Sequence, residues 1–524
     1  MRGRWIRWAG SLWLAAALAP AQTTSGIITG RVVDPQGHAV PSAEIWLTQE
    51  LTGARRSTAT DAGGDFVFPS VLPGRYSITV NAQGFKRLEK KGYTLTAFER
   101  LSVGTLTLEL GSLTESITVT AEAPPIQTAS QERSAVLNDK QMSYLSTPGR
   151  DFMNLLKLLP GVTYPDGYGA QTLGTSGAPI IHGVRSDYVA INLDGVVANN
   201  RGLGTTENML NLDAIAEVKV LLGNYQAEYG KNAGAIINVS SKSGTMEFHG
   251  TAYWYKRHEM FNANGFFNNR AGVAKPRYRY TTLGYNAGGP VYWPGKFNRN
   301  RDKLFFFWSQ EIQPNTTPSV RNYTFPTAQE RRGDFSDSRE PNNALIIVRD
   351  PLSGQPFPGN IIPAARINPD TQKLLSVFPL PNFFDRNISR GNYNYIASDT
   401  VDRPARQEVL RLDYNPGPKW RTYFRGMNMY VKQRGLAVTA NSNQWGIRQS
   451  YDTTNPNMAF NLTYLPSATL VNELALGLSR WTEVQEISSS ELARLQRDKL
   501  GIRLGQKYPQ NNPLNLIPAA SFGG

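Results

Sequence analysis

No cysteine occurs in the 524 residues, which removes a disulfide framework, a thiolate metal site and a cysteine nucleophile together. Histidine is nearly as scarce, with only His38, His182, His249 and His258. None begins an H-x-x-E pair, and His258-Glu259 is followed by Met-Phe-Asn where a zinc peptidase helix needs its second histidine one turn on. The Gly-rich pieces at 161–177 and 223–234 hold neither G-x-x-x-x-G-K-[ST] nor G-x-G-x-x-G between a strand and a helix, and no G-x-S-x-G elbow occurs. Metal, nucleotide and nucleophilic chemistry therefore have no support, and no cofactor and no catalytic residue is called for. Long apolar runs are also missing: after Leu18 the longest are short pieces such as 304–308 and 344–348. Any segment that crosses a membrane must then be β, because in lipid only helices and closed barrels satisfy every backbone group. With charged residues at 18% against 10% aromatics, the chain has too little charge and too many rings to be mainly disordered.

What is present begins with Arg2, Arg4 and Arg7, the apolar run Trp8 to Leu18, and Ala19-Pro20-Ala21. A basic start, a short apolar stretch and a small-x-small site predict a secretory signal peptide at 1–21, with Gln22 as the mature N-terminus. Lys and Arg number 55 against 41 Asp and Glu, a formal charge of +14, and the chain stays basic without the three leader arginines. No basic run is interleaved with stacking aromatics, so nucleic acid is not an expected partner; an anionic surface such as lipopolysaccharide suits this charge better.

Residues 26–110 read as about seven short strands separated by turn chemistry. Gly26 to Val33 alternates toward Asp34-Pro35-Gln36-Gly37, Ala43 to Thr48 follows Pro41, Gly64 to Phe68 follows Thr60-Asp61, and Tyr76 to Val80 follows Leu72-Pro73-Gly74. A small β-sandwich is predicted over 22–112. The strings TDAGGDFVF, LPGRYSITV and AQGF, with turn glycines Gly37 and Gly74, resemble the carboxypeptidase-regulatory-like, transthyretin-like module. That resemblance implies a stabilising or binding domain without chemistry of its own.

A different grammar governs 113–245. Glu115 to Ala123 is a β-prone run stopped by Pro124-Pro125, a free strand suited to pairing with the edge of another protein's sheet. Ser143 to Leu159, with Phe152, Leu155, Leu156 and Leu159 at helical spacing, predicts an amphipathic helix closed by Pro160-Gly161. Then follow IIHGVR with Gly183 and Arg185, an LDGV turn at Leu193-Asp194-Gly195, a helix-like IAEVKV with Glu217 and Val218, the pair Tyr229-Gly230, and GAIINVSSKSG with Gly234 and Asn238. In that order these motifs resemble the plug domain of TonB-dependent outer-membrane receptors. The strand at Ser116, Ile117, Thr118, Val119, Thr120 and Ala121 is similar to the TonB box of that family. The resemblance implies that this strand engages the inner-membrane energy-transducing protein TonB.

From Met246 onward, period-two segments predict barrel strands. Leu410 to Tyr414 turns at Asn415-Pro416-Gly417 into Trp420 to Tyr430, and Met458 to Tyr464 turns at Pro466-Ser467 into Leu470 to Leu478. Leu474, Leu476 and Leu478 share one face, Ala475, Gly477 and Ser479 the other, and strands of about ten residues suit a wall in contact with outer-membrane lipid. Aromatics such as Tyr253 to Tyr255, Phe305 to Trp308, Trp420, Tyr423, Phe424 and Tyr430 fit interfacial girdles. The polar stretch Gln313 to Asn394 is long enough to be functional, and its wording resembles the Oar-like branch of the receptor family. Too few residues follow 245 for the roughly 22 strands of a plugged transporter, so an incomplete barrel, the N-terminal portion of a longer receptor, is expected. The fold class is thus mainly β: a sandwich, an α/β plug at 113–245 and the first strands of a barrel at 246–524. The resemblance implies energy-coupled uptake of a siderophore, saccharide or peptide, with sandwich and plug on the periplasmic side. The competing reading is an exported adhesion protein, with Arg332-Gly333-Asp334 as a weak three-residue pointer.

Overall fold

The computed structural model describes residues 24–112, 116–120, 130–145, 147–163, 179–200, 205–206, 208–226, 229, 233–436, 448–467, 470–518 and 522. The leader, Ala121 and Gly230 lie outside the described residues. Strands β1 (Gly26–Val33), β2 (Glu44–Gln49), β3 (Arg55–Ala59), β4 (Asp65–Val71), β5 (Gly74–Asn81), β6 (Arg87–Leu95) and β7 (Arg100–Thr107) build the sandwich. One sheet has the order β4-β1-β7; the other runs β3-β2-β5-β6 and ends on β8 (Ser116–Thr120). Alternating apolar residues close the core, with Ile28, Ile45, Leu47, Phe68, Tyr76 and Ile78 all essentially inaccessible to water. The Tyr76 hydroxyl donates to the Leu72 carbonyl at 2.7 Å, which satisfies the one polar atom such a ring carries inside.

The plug sheet is assembled from β9 (Arg133–Asn138), β12 (Ala190–Leu193), β13 (Val196–Val197), β16 (Ile215–Gly223) and β17 (Ile236–Ser241), in the order β13-β12-β17-β16-β9. Two small ribbons, β10 (Val162–Thr163) with β11 (Ile180–Ile181) and β14 (Asn199–Asn200) with β15 (Thr205–Thr206), flank it. Two expectations need correction. IAEVKV is not helix-like but the first two-thirds of β16, buried along nearly its whole length, because β-branched residues on both faces suit a strand covered on both sides. The predicted helix at 143–159 is instead α1 (Asp139–Tyr144), capped by the Asn138 and Gln141 side chains, followed by 3-10 turns at Pro148–Arg150 and Phe152–Leu158. Pro148 and Gly149, the latter at φ 73°, break the regular helix. Phe152, Leu155 and Leu156 still reach the core.

The remaining strands, β18 (His249–His258), β19 (Arg279–Pro290), β20 (Leu304–Tyr323), β21 (Tyr395–Gly417), β22 (Trp420–Leu436), β23 (Arg448–Ser467), β24 (Leu470–Ser479) and β25 (Thr482–Ile487), form one antiparallel meander in chain order, with β25 continuing along β23. Several run to about twice the expected ten residues, since pairing continues between β20 and β21 as far as Tyr323 and Tyr395. The long connection is therefore 324–394, shorter than the stretch from Gln313. Along β20 the inner face is Phe305, Phe307, Ser309, Glu311, Gln313 and Asn315, each at most 2% exposed. Phe305 and Phe307 thus face inward and do not belong to a lipid girdle. Outward positions fit a lipid wall, with Trp254, Leu283, Trp420, Leu474, Leu476 and Leu478 exposed. Trp420 stacks on Tyr464 at 4.0 Å next to the β21–β22 and β23–β24 turns.

Gly244, in the SKSG end of the plug motif, leads the chain into β18. A Cβ there would lie 2.3 Å from the Phe306 carbonyl oxygen and 2.8 Å from that of Gly289, both backbone atoms of barrel strands. Gly244→Ala is expected to lower stability by about 1–3 kcal/mol, because neither strand can yield without losing its ladder. Thermal unfolding in detergent measures this; an unchanged midpoint would show that the junction is looser than its packing implies.

Candidate functional site

The site is the seam where the plug meets the barrel wall. It starts from a local rule: Asp194-Gly195 is a two-residue hairpin loop joining β12 to β13, with φ of 46° and 82°, the left-handed pair that Asp-Gly favours. This turn delivers the Asp194 carboxylate into the barrel wall. Arg425 Nε of β22 donates to Asp194 Oδ2 at 3.0 Å, and Arg411 Nη1 of β21 lies 3.5 Å from Oδ1. Ser241 of β17 donates its backbone N–H and its hydroxyl to the same carboxylate at 2.9 and 2.8 Å. Burial alone would raise the Asp194 carboxyl, but the two guanidiniums and the Ser241 donors hold it below the usual carboxylate range.

Each arginine is itself tied to both bodies. Arg425 donates to the Leu193 carbonyl of the plug at 2.9 Å and the Asn457 carbonyl of the barrel at 2.8 Å, and it is fully buried. Arg411 donates to the Ser241 carbonyl at 3.1 Å, pairs with Asp413 at 2.9 Å and lies over the Tyr423 ring at 4.5 Å. Around this charge cluster the seam continues with Asn211 Oδ1 accepting from Ser309, Asn208 donating to Ser479, and Asn457 donating to the Val197 carbonyl. Arg150, ion-paired to Asp213, covers the Tyr253 and Tyr255 rings at 4.8 and 4.3 Å. An apolar strip that includes Phe307, Met427, Met429 and Val431 joins the plug core beside it.

On the other side of the plug sheet, Glu217 Oε1 accepts the Ala97 N–H of the sandwich at 2.6 Å, and the neighbouring Phe98 ring meets Tyr229 edge-on at 5.6 Å. Burial pushes the Glu217 carboxyl up to about 7, against the Ala97 hydrogen bond and Lys219, which pull it down. Lys219 and Glu132 make an ion pair at 2.6 Å that is almost wholly shielded from water. Of the plug residues expected from the sequence, Leu193 and Asp194 therefore belong to the barrel seam. Glu217 and Tyr229 belong to the sandwich contact, and Val218 to the plug core. Asn238 accepts from Asn192 at 3.0 Å inside the sheet, Gly234 packs under the Tyr188 carbonyl, and Gly183 sits in a turn at φ 75°. Arg185 pairs with exposed Asp187 and lies over the Tyr188 ring at 5.7 Å, outside the seam. Sequence reasoning passed over Arg411, Arg425, Lys219 and Glu132; for Arg411 and Arg425 a charged residue inside a barrel strand was the available signal, and for Lys219 and Glu132 no local signal existed.

Comparison with known proteins agrees with this architecture. The carboxypeptidase regulatory-like domain matches residues 27–109, and the TonB-dependent receptor plug domain matches 127–236. The outer membrane beta barrel domain matches 240–524, more than half of the chain. The chain belongs to the outer-membrane β-barrel family of TonB-dependent receptors. It is an outer-membrane protein, and it is similar to the TonB-dependent transporter Oar of Myxococcus xanthus, 27% identical over 258 residues, which are 47% of this chain and 22% of that protein. Among solved structures it is similar to the outer membrane transporter YddB of Escherichia coli, with a TM-score of 0.43, 10% identity, and coverage of 68% of this chain and 39% of that one. The siderophore receptor PirA of Acinetobacter baumannii gives a TM-score of 0.34, 13% identity, and coverage of 67% and 44%. The chain spans less than half of the length of each of these relatives.

Proposed function

We propose that the chain serves energy-coupled uptake across the outer membrane: a substrate binds on the outer side, TonB engages the strand at Ser116–Ala121, and force carried through the plug changes the seam with the barrel wall. The observation that carries this reading is the Asp194 cluster. Two barrel arginines hold a carboxylate at the tip of a plug hairpin, so plug and wall are joined in one fixed geometry by groups that water can take over once they separate. The 27% identity to a TonB-dependent transporter supports the same reading. The sandwich, plug and coupling strand then face the periplasm. The substrate class stays among siderophores, saccharides and peptides.

The experiment is binding of the purified periplasmic domain of TonB to the chain in detergent. Pairing by strand addition needs backbone donors, and Val119→Pro removes one from the middle of the strand. Affinity is expected to fall by about tenfold or more, roughly the loss of one ladder bond and its geometry. Equal affinity for the variant would locate the coupling strand elsewhere.

A further inference from the structure

We propose that the sandwich presents the coupling strand as an open sheet edge, so that a strand of the TonB periplasmic domain extends the sandwich sheet instead of capturing a loose tether. This rests on the assignment of Ser116–Ala121 made above. β8 runs parallel to β6, with Arg87 opposite Ser116, Glu89 opposite Thr118 and Lys91 opposite Thr120. It is the last strand of the five-stranded order, and no strand pairs with its outer side among the described residues.

The two ends of this sheet are treated differently. At the far end β3 carries Arg55 and Arg56, and Arg56 donates to the Pro69 and Ser70 carbonyls at 2.7 and 3.1 Å. A cleft shared with Pro418, Lys419 and Pro466 places barrel turns over that end. The neighbouring edge of the second sheet is also engaged, since Ser70 and Ser25 both donate to Glu473 of β24. The β8 end lies four strand spacings from β3, roughly 19 Å, on the side of the sheet away from these turns. Its sequence, Ser-Ile-Thr-Val-Thr, has no charge, no proline and no glycine. Natural sheets blunt free edges with lysine, proline or bulges, and an uncharged β-branched edge is the form that accepts another strand.

Presentation also explains why such an edge would be kept. A strand already held extended costs the partner less ordering entropy than a flexible tether. Pro124-Pro125 ends the pairing run a few residues on, so the docked length is limited. Tension applied at β8 then reaches the plug at Glu132, the carboxylate locked to Lys219.

Because the chain has no cysteine, Lys90→Cys with Val119→Cys adds a single pair of thiols at opposed positions of β6 and β8. Neighbouring strands hold Cα atoms within the range a disulfide spans. Binding of the TonB periplasmic domain is measured for the whole chain in detergent, for the bridged and reduced double variant, and for a synthetic peptide of residues 113–125 carrying the same Val119→Cys change with its thiol blocked, so that the substitution is common to the variant and the peptide. Presentation predicts that the bridged form binds within about twofold of the reduced form, and that both bind about tenfold tighter than the peptide. If bridging abolishes binding and reduction restores it, the strand must leave the sandwich to be captured and the inference is overturned. Failure of the thiols to bridge under oxidant overturns the β6–β8 pairing. A peptide that binds as tightly as the chain overturns presentation while leaving the coupling assignment intact; absence of binding by both removes the coupling assignment itself.

Discussion

Asp194→Asn is expected to cost the seam between plug and barrel about 3–5 kcal/mol, the penalty for leaving a buried charge without its partner. The turn itself is unaffected by the change, because Asn tolerates the left-handed φ of 46° and Asn-Gly serves this hairpin loop as well as Asp-Gly. The amide oxygen can still accept the Ser241 N–H. What is lost is the negative charge between Arg425 and Arg411; Arg411 keeps Asp413, whereas Arg425 keeps only carbonyl and amide oxygens while fully buried. Urea unfolding in detergent, with hydrogen exchange over β12 and β17, measures the loss. Combining Asp194→Asn with Arg425→Met should recover part of it, since removing both partners of a buried pair costs less than removing one. There is a pH signature as well. The folded-state carboxyl of Asp194 lies below its unfolded value of 3.8, so its contribution is present above that value and disappears as pH falls through the depressed one. Wild type should therefore lose seam stability in acid that the Asn variant never had. Equal acid sensitivity of the two would assign the seam's strength to the apolar strip alone.

The sandwich–plug contact should respond to pH with the opposite sign. Glu217 is raised from 4.5 to about 7 in the folded chain, so the native state binds its proton more tightly than the unfolded chain does. The stabilisation is complete below about 4.5 and is lost as pH rises through about 7. Across that window the loss amounts to roughly 3 kcal/mol, taking about 1.4 kcal/mol for each unit of pH. Glu217→Gln keeps an acceptor for the Ala97 N–H and abolishes the titration. The difference between wild-type and variant unfolding free energies should therefore slope between pH 4.5 and 7 and flatten outside it. Parallel curves across the window would mean that the carboxyl is hydrated in the folded chain. With the slope present, mild acidity tightens the grip of the sandwich on the plug, while strong acid weakens the plug's grip on the barrel.

Most of the architecture was legible because its signals are local. Turn pairs such as Asp34-Pro35 and Asp194-Gly195 mark strand ends through backbone preferences that need no tertiary context. Period-two alternation marked Leu470 to Leu478 as a strand with one lipid-type face, and Leu474, Leu476 and Leu478 are exposed together. Local reasoning failed where both faces of a strand are buried. IAEVKV alternates, with Glu217 and Lys219 on one face and Val218 and Val220 on the other, but its charged face is as buried as its apolar one, and the neighbours β17 and β9 fix it as β16. It failed again at 143–159, where apolar spacing survived but Pro148-Gly149 broke the hydrogen-bond ladder.

The sequence by itself determined the order of sandwich, plug and barrel, the absence of cysteine, the Asp-Gly turn and the uncharged β-prone strand before Pro124, all properties of adjacent residues. Tertiary structure alone decided that Phe305 and Phe307 face inward, that Asp194 meets Arg411 and Arg425 from more than two hundred residues away, that Glu217 receives the Ala97 N–H, and that Ser116–Thr120 closes a sandwich sheet. The physical reason is the same in each case. A side chain's partners across a sheet or between domains depend on strand register and packing, which sum over many distant pairings, whereas turns and alternation are set by the preferences of neighbours in the chain.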